Sequence, residues 1–278
     1  MRSYLQKILL SSLLAASLFS SLLLRAKGNE ELLGSSHLIF GVPQNVDILL
    51  MRKGFSLGYS EKHKQALWVS YILKKEDLKG KYSRKNMRFR KDPAIKIDPV
   101  TPNDYRKTGF DRGHLAPAGD MAYHLEALKE SFYMTNITPQ YPSCNRGIWK
   151  RLENMVRAWA EKEGKLCVIT GPVFTSSSSR KLGRSRLTVP CAFYKVILDM
   201  SPPIKMIGFV IPNTSGKRDP AGFAMSIKEV EKATGNTFFH LLNHPEKEKL
   251  KSSFSHALWG MKKIPPPPAV KKNPEYKK

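Results

Sequence analysis

Between Asp111 and Glu153 the chain gathers side chains that can move a proton, hold a hard cation and grip a phosphate. Asp111-Arg112-Gly113-His114 runs into Leu115-Ala116-Pro117-Ala118-Gly119-Asp120. Asn136-Ile137-Thr138-Pro139-Gln140 follows, and Asn145-Arg146-Gly147-Ile148-Trp149-Lys150-Arg151-Leu152-Glu153 closes the stretch. A histidine set between an arginine and a proline-stiffened turn is a candidate base beside a phosphate-binding cation. A lone Arg-Gly-His triplet is equally well read as a satisfied surface histidine. Asn145 and Glu153, eight residues apart on an expected helix, share roughly one face and are separated by about 12 Å of helix axis. An ion between them needs water in the gap, which suits Mg²⁺, a cation that keeps several waters and takes few protein oxygens. Taken singly, Asn145 is a helix cap and Glu153 a solvated residue; the case for chemistry is their co-occurrence with His114.

The elements that must position these groups are legible as periodicities. Apolar, branched and aromatic runs predict strands at about Ala66–Leu73, Leu166–Thr170, Val189–Leu198 and Lys205–Ile211. With Asp120 as N-cap, Met121, Leu125, Leu128 and Phe132 fall at helical intervals. So do Ile148, Leu152, Met155 or Val156, and Trp159. A third helix is expected near Ser226–Ala233, stopped by Gly235. Strands and helices interleave without regular βαβ spacing, so the expected class is α+β.

The 278 residues carry 47 Lys+Arg against 23 Asp+Glu, a formal charge of +24, with 41% hydrophobic residues. That composition excludes a wholly disordered chain and gives enough apolar surface for one large domain with tails. Residues 28–246 hold +13 of the charge, so the body itself should attract polyanions, either nucleic acid or an acidic membrane surface. Arg2 and Lys7 precede the apolar run Ile8–Leu24, and no acidic residue occurs before Glu30. Residues 1–27 therefore read as a signal peptide or a membrane anchor, with a mitochondrial presequence as the alternative. The chain is accordingly expected to be exported or membrane-tethered, through residues 8–24. Residues 261–278, with Pro265-Pro266-Pro267-Pro268, read as a basic, proline-rich tail unable to order itself. That leaves 28–260 as the folded unit. Cys144, Cys167 and Cys191 make no disulfide framework and no zinc spacing; a single Cys167–Cys191 bridge is left open.

The three segments, in this order and within 43 residues, closely resemble the DNA/RNA non-specific endonucleases of the ββα-metal (His-Me finger) superfamily, the group that includes endonuclease G. Weaker likeness runs through Leu67–Leu73, Phe89–Pro93, Val168–Phe174, Val189–Leu198, Phe209–Asn213 and Thr234–Phe239, so it covers roughly residues 55–242. The resemblance implies a central, mainly antiparallel sheet flanked by helices, with a ββα-metal element presenting the site. It implies His114 as general base, Asn145 as direct Mg²⁺ ligand, Glu153 holding a metal-bound water, Asn136 organising the site and Arg112 contacting phosphate. Mn²⁺ or another divalent ion can substitute. One further arginine upstream, Arg84 or Arg88, would contact phosphate; both fit, since the spacing differs between branches of the family, and the reading leans to Arg84. The competing reading makes the whole of Lys79–Lys91 a solvated basic loop. Asp111 would support the turn.

The expected reaction is hydrolysis of DNA and RNA to 5′-phosphate and 3′-hydroxyl ends. His114 would act unprotonated, so activity should fall as pH drops through a pKa of ~6.5 if that group is unperturbed. Backbone contacts carry no sequence information, so specificity should be low. The resemblance also implies a homodimer. An alternative reading is a catalytically inactive, membrane-tethered nucleic-acid-binding protein, which has no use for His114 and Asn145 together. A cationic envelope-binding protein leaves all three motifs unexplained. Ser176–Ser179 and Arg180–Arg186 read as a basic surface loop near the substrate.

Overall fold

The computed structural model describes residues 37–175, 180–214 and 218–265. The leader at residues 1–27, the serine run Ser176–Ser179 and the tail from Pro266 lie outside them. Among the described residues no helix is long and apolar enough to cross a membrane.

Seven strands form one antiparallel sheet: β1 (Ile48–Met51), β2 (Ser56–Ser60), β3 (Gln65–Lys74), β6 (Lys165–Val173), β9 (Ala192–Asp199), β10 (Lys205–Pro212) and β11 (Ala224–Met225), paired in that order. The four long apolar runs are its centre. The strand expected from Val189 begins at Ala192, because Pro190 has no N–H for the ladder. Both faces are covered, so side chains on the central strands are buried whichever way they point. Along β9, Phe193 and Ile197 join the core that holds Trp149, Leu152, Val156 and Trp159, whereas Tyr194, Val196 and Leu198 join the opposite core with Val230, Phe238 and Phe239. The two-residue period therefore places Lys195 on the first face. Its register neighbours Thr170 and Phe209 lie beside it.

The helix on that face is α2 (Lys150–Glu163), and the one on the other is α3 (Ile227–Thr234). A short α1 (Leu125–Ser131) packs near the site, and α4 (Lys247–Ser252) lies beyond α3. For α3, Gly235 ends the helix at φ 73°, as the sequence predicts, and Ser226 with Glu229 forms a reciprocal capping box at its start. The other two helices differ from expectation. Asp120 caps nothing: α1 starts at Leu125 behind an N-cap histidine, His124, whose Nδ1 accepts from the Glu126 N–H. The Asp120 carboxylate is claimed by Arg157 and Tyr71 instead. Nor does one helix run through Ile148. Residues Cys144–Trp149 form a separate wide turn, broken at Gly147 (φ −104°, ψ −108°), and α2 begins after it. The face argument linking Asn145 to Glu153 by helical spacing does not cross that break.

Two small ribbons complete the architecture. β4 (Asp111–His114) pairs with β5 (Ile137–Gln140), and β7 (Lys181–Leu182) with β8 (Leu187–Thr188). The stretch expected to be a basic loop is thus a hairpin over Lys181–Thr188. All three cysteines are free thiols, so the bridge left open between Cys167 and Cys191 is not formed.

Candidate active site

The ribbon of β4 and β5 carries the first motif. Gly113 is required there, since a Cβ would sit 2.2 Å from the buried Gln140 amide oxygen on the facing strand. His114 ends β4 opposite Ile137. Its ring is bracketed by Phe89, at 5.3 Å between centroids, and by Phe132, at 4.9 Å and nearly edge-on (83°). The Nε2 atom is buried and has no hydrogen-bond partner among the described residues. Burial, then the charge of Arg84, lowers the His114 pKa to about 3. The value near 6.5 expected from the sequence does not hold, because an imidazolium here would give up its hydration between two apolar rings.

Each bracket carries an arginine. The Arg112 guanidinium lies 4.8 Å from the Phe89 centroid and the Arg84 guanidinium 5.9 Å from that of Phe132. Both are exposed, and cation–π contact steers two charges to the rim of the histidine pocket. Arg88 is exposed and makes no hydrogen bond or ion pair among the described residues. Phe89 is held in place by its neighbours. Arg90 N donates to Phe132 O, and the buried Asp92 accepts from Thr135 Oγ1 (2.6 Å) and pairs with Arg52 (2.6 Å).

Asn136 is fully buried and fully committed. Its Oδ1 accepts from Ala116 N (2.9 Å), and its Nδ2 donates to Ala116 O (3.0 Å) and Ser131 O (2.9 Å). It clamps the chain leaving His114 to the end of α1.

Asn145 stands in the wide turn before α2 and donates from Nδ2 to Asp111 Oδ2 at 2.9 Å. An ionised carboxylate only accepts, so this bond fixes which way the amide points and leaves Asn145 Oδ1 turned away from Asp111. Arg146 grips the same carboxylate with two bonds, 2.8 Å from Nε and 2.6 Å from Nη2. Burial pushes the Asp111 pKa up, but the hydrogen bonds from Arg146 and Asn145 outweigh it and hold the group below its ordinary range. Asp111 does more than support a turn.

Glu153, in the first turn of α2, is largely buried rather than solvated. Around it lies a balanced network. Arg157 Nη2 is 3.9 Å from Glu153, Arg157 Nε donates to Asp120 Oδ1 at 2.6 Å, and Tyr71 OH donates to Asp120 Oδ2 at 3.0 Å. Lys195 reaches in from β9, its Nζ 5.0 Å from the Trp149 ring and without a hydrogen-bond partner among the described residues. Burial raises the Glu153 pKa against the opposing pull of Lys195, and lowers that of Lys195. Sequence reasoning missed Arg157, Asp120 and Lys195. The first stands at i+4 from Glu153, a visible helix pair, and the last is a charge inside an apolar strand, which in a buried sheet demands a partner.

Among the described residues no three His, Cys, Asp or Glu side chains cluster as a metal site. Asn145 Oδ1 and the Glu153 carboxylate are oxygen donors of the kind a hard ion takes, each held by its own partner, Asn145 by Asp111 and Glu153 by Arg157.

The chain is similar to known nucleases. The family model for the DNA/RNA non-specific endonuclease matches residues 33–244. Nuclease C1 of Cunninghamella echinulata is 34% identical over 224 residues, covering 75% of this chain and 89% of that protein. Human endonuclease G, mitochondrial, is 31% identical, covering 72% and 71%. The mitochondrial nuclease EXOG of Danio rerio is 32% identical over 73% of this chain, which spans 64% of that relative's length. A crystal structure of EndoG bound to EndoGI superposes with a TM-score of 0.69 at 27% identity, covering 74% of this chain and 91% of that one. The chain belongs to the DNA/RNA non-specific endonuclease family of metal-dependent nucleases, and its fold is their ββα-metal fold.

Proposed function

We propose that this protein is a Mg²⁺-dependent endonuclease that hydrolyses the phosphodiester bonds of DNA and RNA without sequence preference, leaving 5′-phosphate and 3′-hydroxyl ends. The observation that carries the reading is one ribbon bearing both an uncharged, unpartnered His114 Nε2 and the Asp111 carboxylate that turns the Asn145 oxygen outward. His114 takes the proton of the attacking water as general base. Arg112 and Arg84, held over Phe89 and Phe132, bind the non-bridging oxygens of the scissile phosphate. Asn136 holds the turn after His114 in register. Asn145 would hold the ion directly and Glu153 through water, and the ion when bound would neutralise charge developing on the phosphate and the departing 3′ oxygen. Arg157, Asp120 and Lys195 keep Glu153 oriented.

We retain residues 28–260 as the nuclease unit, of which residues 28–36 lie outside the described ones. We also assign a homodimer, on the resemblance, and a leader in residues 1–27 that exports or tethers the chain. The mitochondrial relatives support the other reading of that leader, delivery to the mitochondrion. Export keeps a non-specific nuclease away from its own genome.

Digestion of supercoiled plasmid and of a structured RNA, with Mg²⁺, with Mn²⁺ and with EDTA, tests the proposal. Both substrates should be cut with either metal and neither in EDTA. Binding of both without cutting under any divalent ion would overturn it in favour of an inactive receptor. The same assay separates the two upstream arginines. Arg84→Ala should cost about tenfold or more in turnover, whereas Arg88→Ala should cost less than about twofold; equal losses would return Arg84 to the solvated basic loop.

A further inference from the structure

The hairpin Lys181–Thr188 is basic, exposed and built to stay in place. Its turn presses onto Asp104, whose Oδ1 accepts from Ser185 N (3.0 Å) and would lie 2.2 Å from any Cβ on Gly183 (φ 61°). At its base, Gln65 Nε2 donates to Thr188 O (2.6 Å) while Gln65 Oε1 accepts from Thr138 Oγ1 (2.7 Å), which ties the hairpin to the strand opposite Gly113. Just before it, the Arg180 guanidinium lies 4.8 Å from the centroid of Phe110, the residue preceding Asp111. Lys181 Nζ donates to Thr188 Oγ1 (2.5 Å), and His63 Nδ1 is 3.2 Å from the same hydroxyl, its ring stacked on Phe174 at 3.9 Å.

Five exposed cations meet here: Lys62, Arg180, Lys181, Arg184 and Arg186. None has an acidic partner within 4.0 Å among the described residues. The nearby acids are occupied or distant from them. Asp104 serves Thr101 and Ser185, Asp47 serves the Glu61 N–H, and Glu61 is exposed without an ion pair. Like charges gathered without counter-charge repel, and a bound polyanion removes that cost. Lys181 registers it: burial, then the charges of Arg186 and Lys62, hold its pKa below the ordinary lysine value.

We infer that this hairpin, with Arg180 and Lys62, is a second backbone-phosphate site that holds the nucleic-acid strand away from the scissile bond. The inference rests on the proposed nuclease reading. From Phe110 to His114 the extended chain covers about 13 Å. That is about four phosphates along a B-form strand, and fewer along a stretched single strand. A dinucleotide, whose one phosphate is seated at His114, does not reach the hairpin, and a longer strand does.

The test compares the full-length wild type with Lys181→Gln/Arg184→Gln/Arg186→Gln, and with the charge-keeping Arg184→Lys/Arg186→Lys. Binding to a strand of about 30 nucleotides is measured in EDTA at several salt concentrations. The slope of log affinity against log salt should shrink by about 0.7 for each lost phosphate contact in the glutamine variant, and stay near wild type in the lysine variant. With Mg²⁺, kcat/KM should fall about tenfold on the long strand and at least about five times less on a dinucleotide with a single phosphodiester. An unchanged slope overturns the inference. So does an equal loss on both substrates, which would make the hairpin a structural support of the active site. So would loss of binding to phosphatidylserine/phosphatidylcholine vesicles with the nucleic-acid slope unmoved, which would assign the patch to a membrane surface. If the wild type cuts neither substrate, the nuclease reading fails by itself and the slope in EDTA still decides the hairpin.

Discussion

His114→Ala should lower the cleavage rate of plasmid at pH 7.5 by about 10²–10⁴-fold while leaving nucleic-acid affinity in EDTA within about twofold. The range is that of a positioned general base, and about 3–5 kcal/mol of barrier corresponds to it. Binding should survive because the charges proposed to meet phosphate, Arg84 and Arg112, stand on Phe132 and Phe89 and not on the imidazole. Removing the ring leaves a slot between Phe89 and Phe132. Added imidazole should therefore restore part of the lost rate to the alanine variant, as it would not for a residue that merely shapes the fold. A variant keeping more than a few percent of wild-type activity without imidazole would remove His114 from the role of base.

The same residue sets a pH signature of stated sign. In the unfolded chain His114 titrates near ~6.5, and in the folded protein burial and then Arg84 bring it to about 3. A lowered pKa gives stability that is present above the unfolded value. That stability is lost as pH falls from about 6.5 toward 3, where the unfolded chain takes a proton and the folded one does not. Acidification across that window should lower the melting temperature of the wild type more than that of His114→Ala, which has no such group. On the activity side, the histidine stays neutral throughout the ordinary working range, so its loss of basicity should not limit the rate at pH 6. An acid limb with an apparent pKa of ~6.5 that vanished with His114 would show that the ring is more hydrated than its two aromatic brackets imply.

Much of this fold was legible because its signals are local. The strand cores around Trp68, Val168, Val196 and Ile207 announce themselves as apolar runs, and Gly235 spells out the end of α3. The helix near Asp120 was misplaced for a physical reason. An aspartate before an apolar helical pattern caps it only when its carboxylate is free, and Asp120 is taken by Arg157 from 37 residues away and Tyr71 from 49. The break at Gly147 was hidden in the same way, since Asn145, Trp149 and Glu153 keep helical spacing straight through it. Of the site, the types of His114, Asn145 and Glu153 were readable. Their environments were not, because the Phe89 and Phe132 brackets, the Asp111 bond to Asn145 and the reach of Lys195 from β9 all join parts of the chain distant in sequence. Between Arg84 and Arg88 the spacing does not choose, and only Arg84 lies over the Phe132 ring, at 5.9 Å from its centroid.

Asn145→Asp should reduce Mg²⁺-dependent cleavage by about 100-fold or more, although a carboxylate is nominally a stronger ligand than an amide. The reason lies in the 2.9 Å bond from Asn145 Nδ2 to Asp111 Oδ2. An aspartate cannot donate, so the substitution sets two carboxylates against one another. One must then take up a proton or swing away, and Arg146 is already spent on both oxygens of Asp111. If Asp111 acts by orienting its partner, exchanging the two residues should repair the pair. In Asp111→Asn/Asn145→Asp the amide at 111 donates to the carboxylate at 145, whose second oxygen again faces outward. Contacting pairs of this kind couple by about 0.5–3 kcal/mol, so the double variant should recover at least about tenfold over Asn145→Asp alone. Mn²⁺ binding followed by electron paramagnetic resonance gives a readout free of turnover, and affinity should fall in the single variant and return in the double. Losses that simply add, in cleavage and in Mn²⁺ affinity alike, would show that Asp111 serves only Arg146 and that Asn145 needs no partner to present its oxygen.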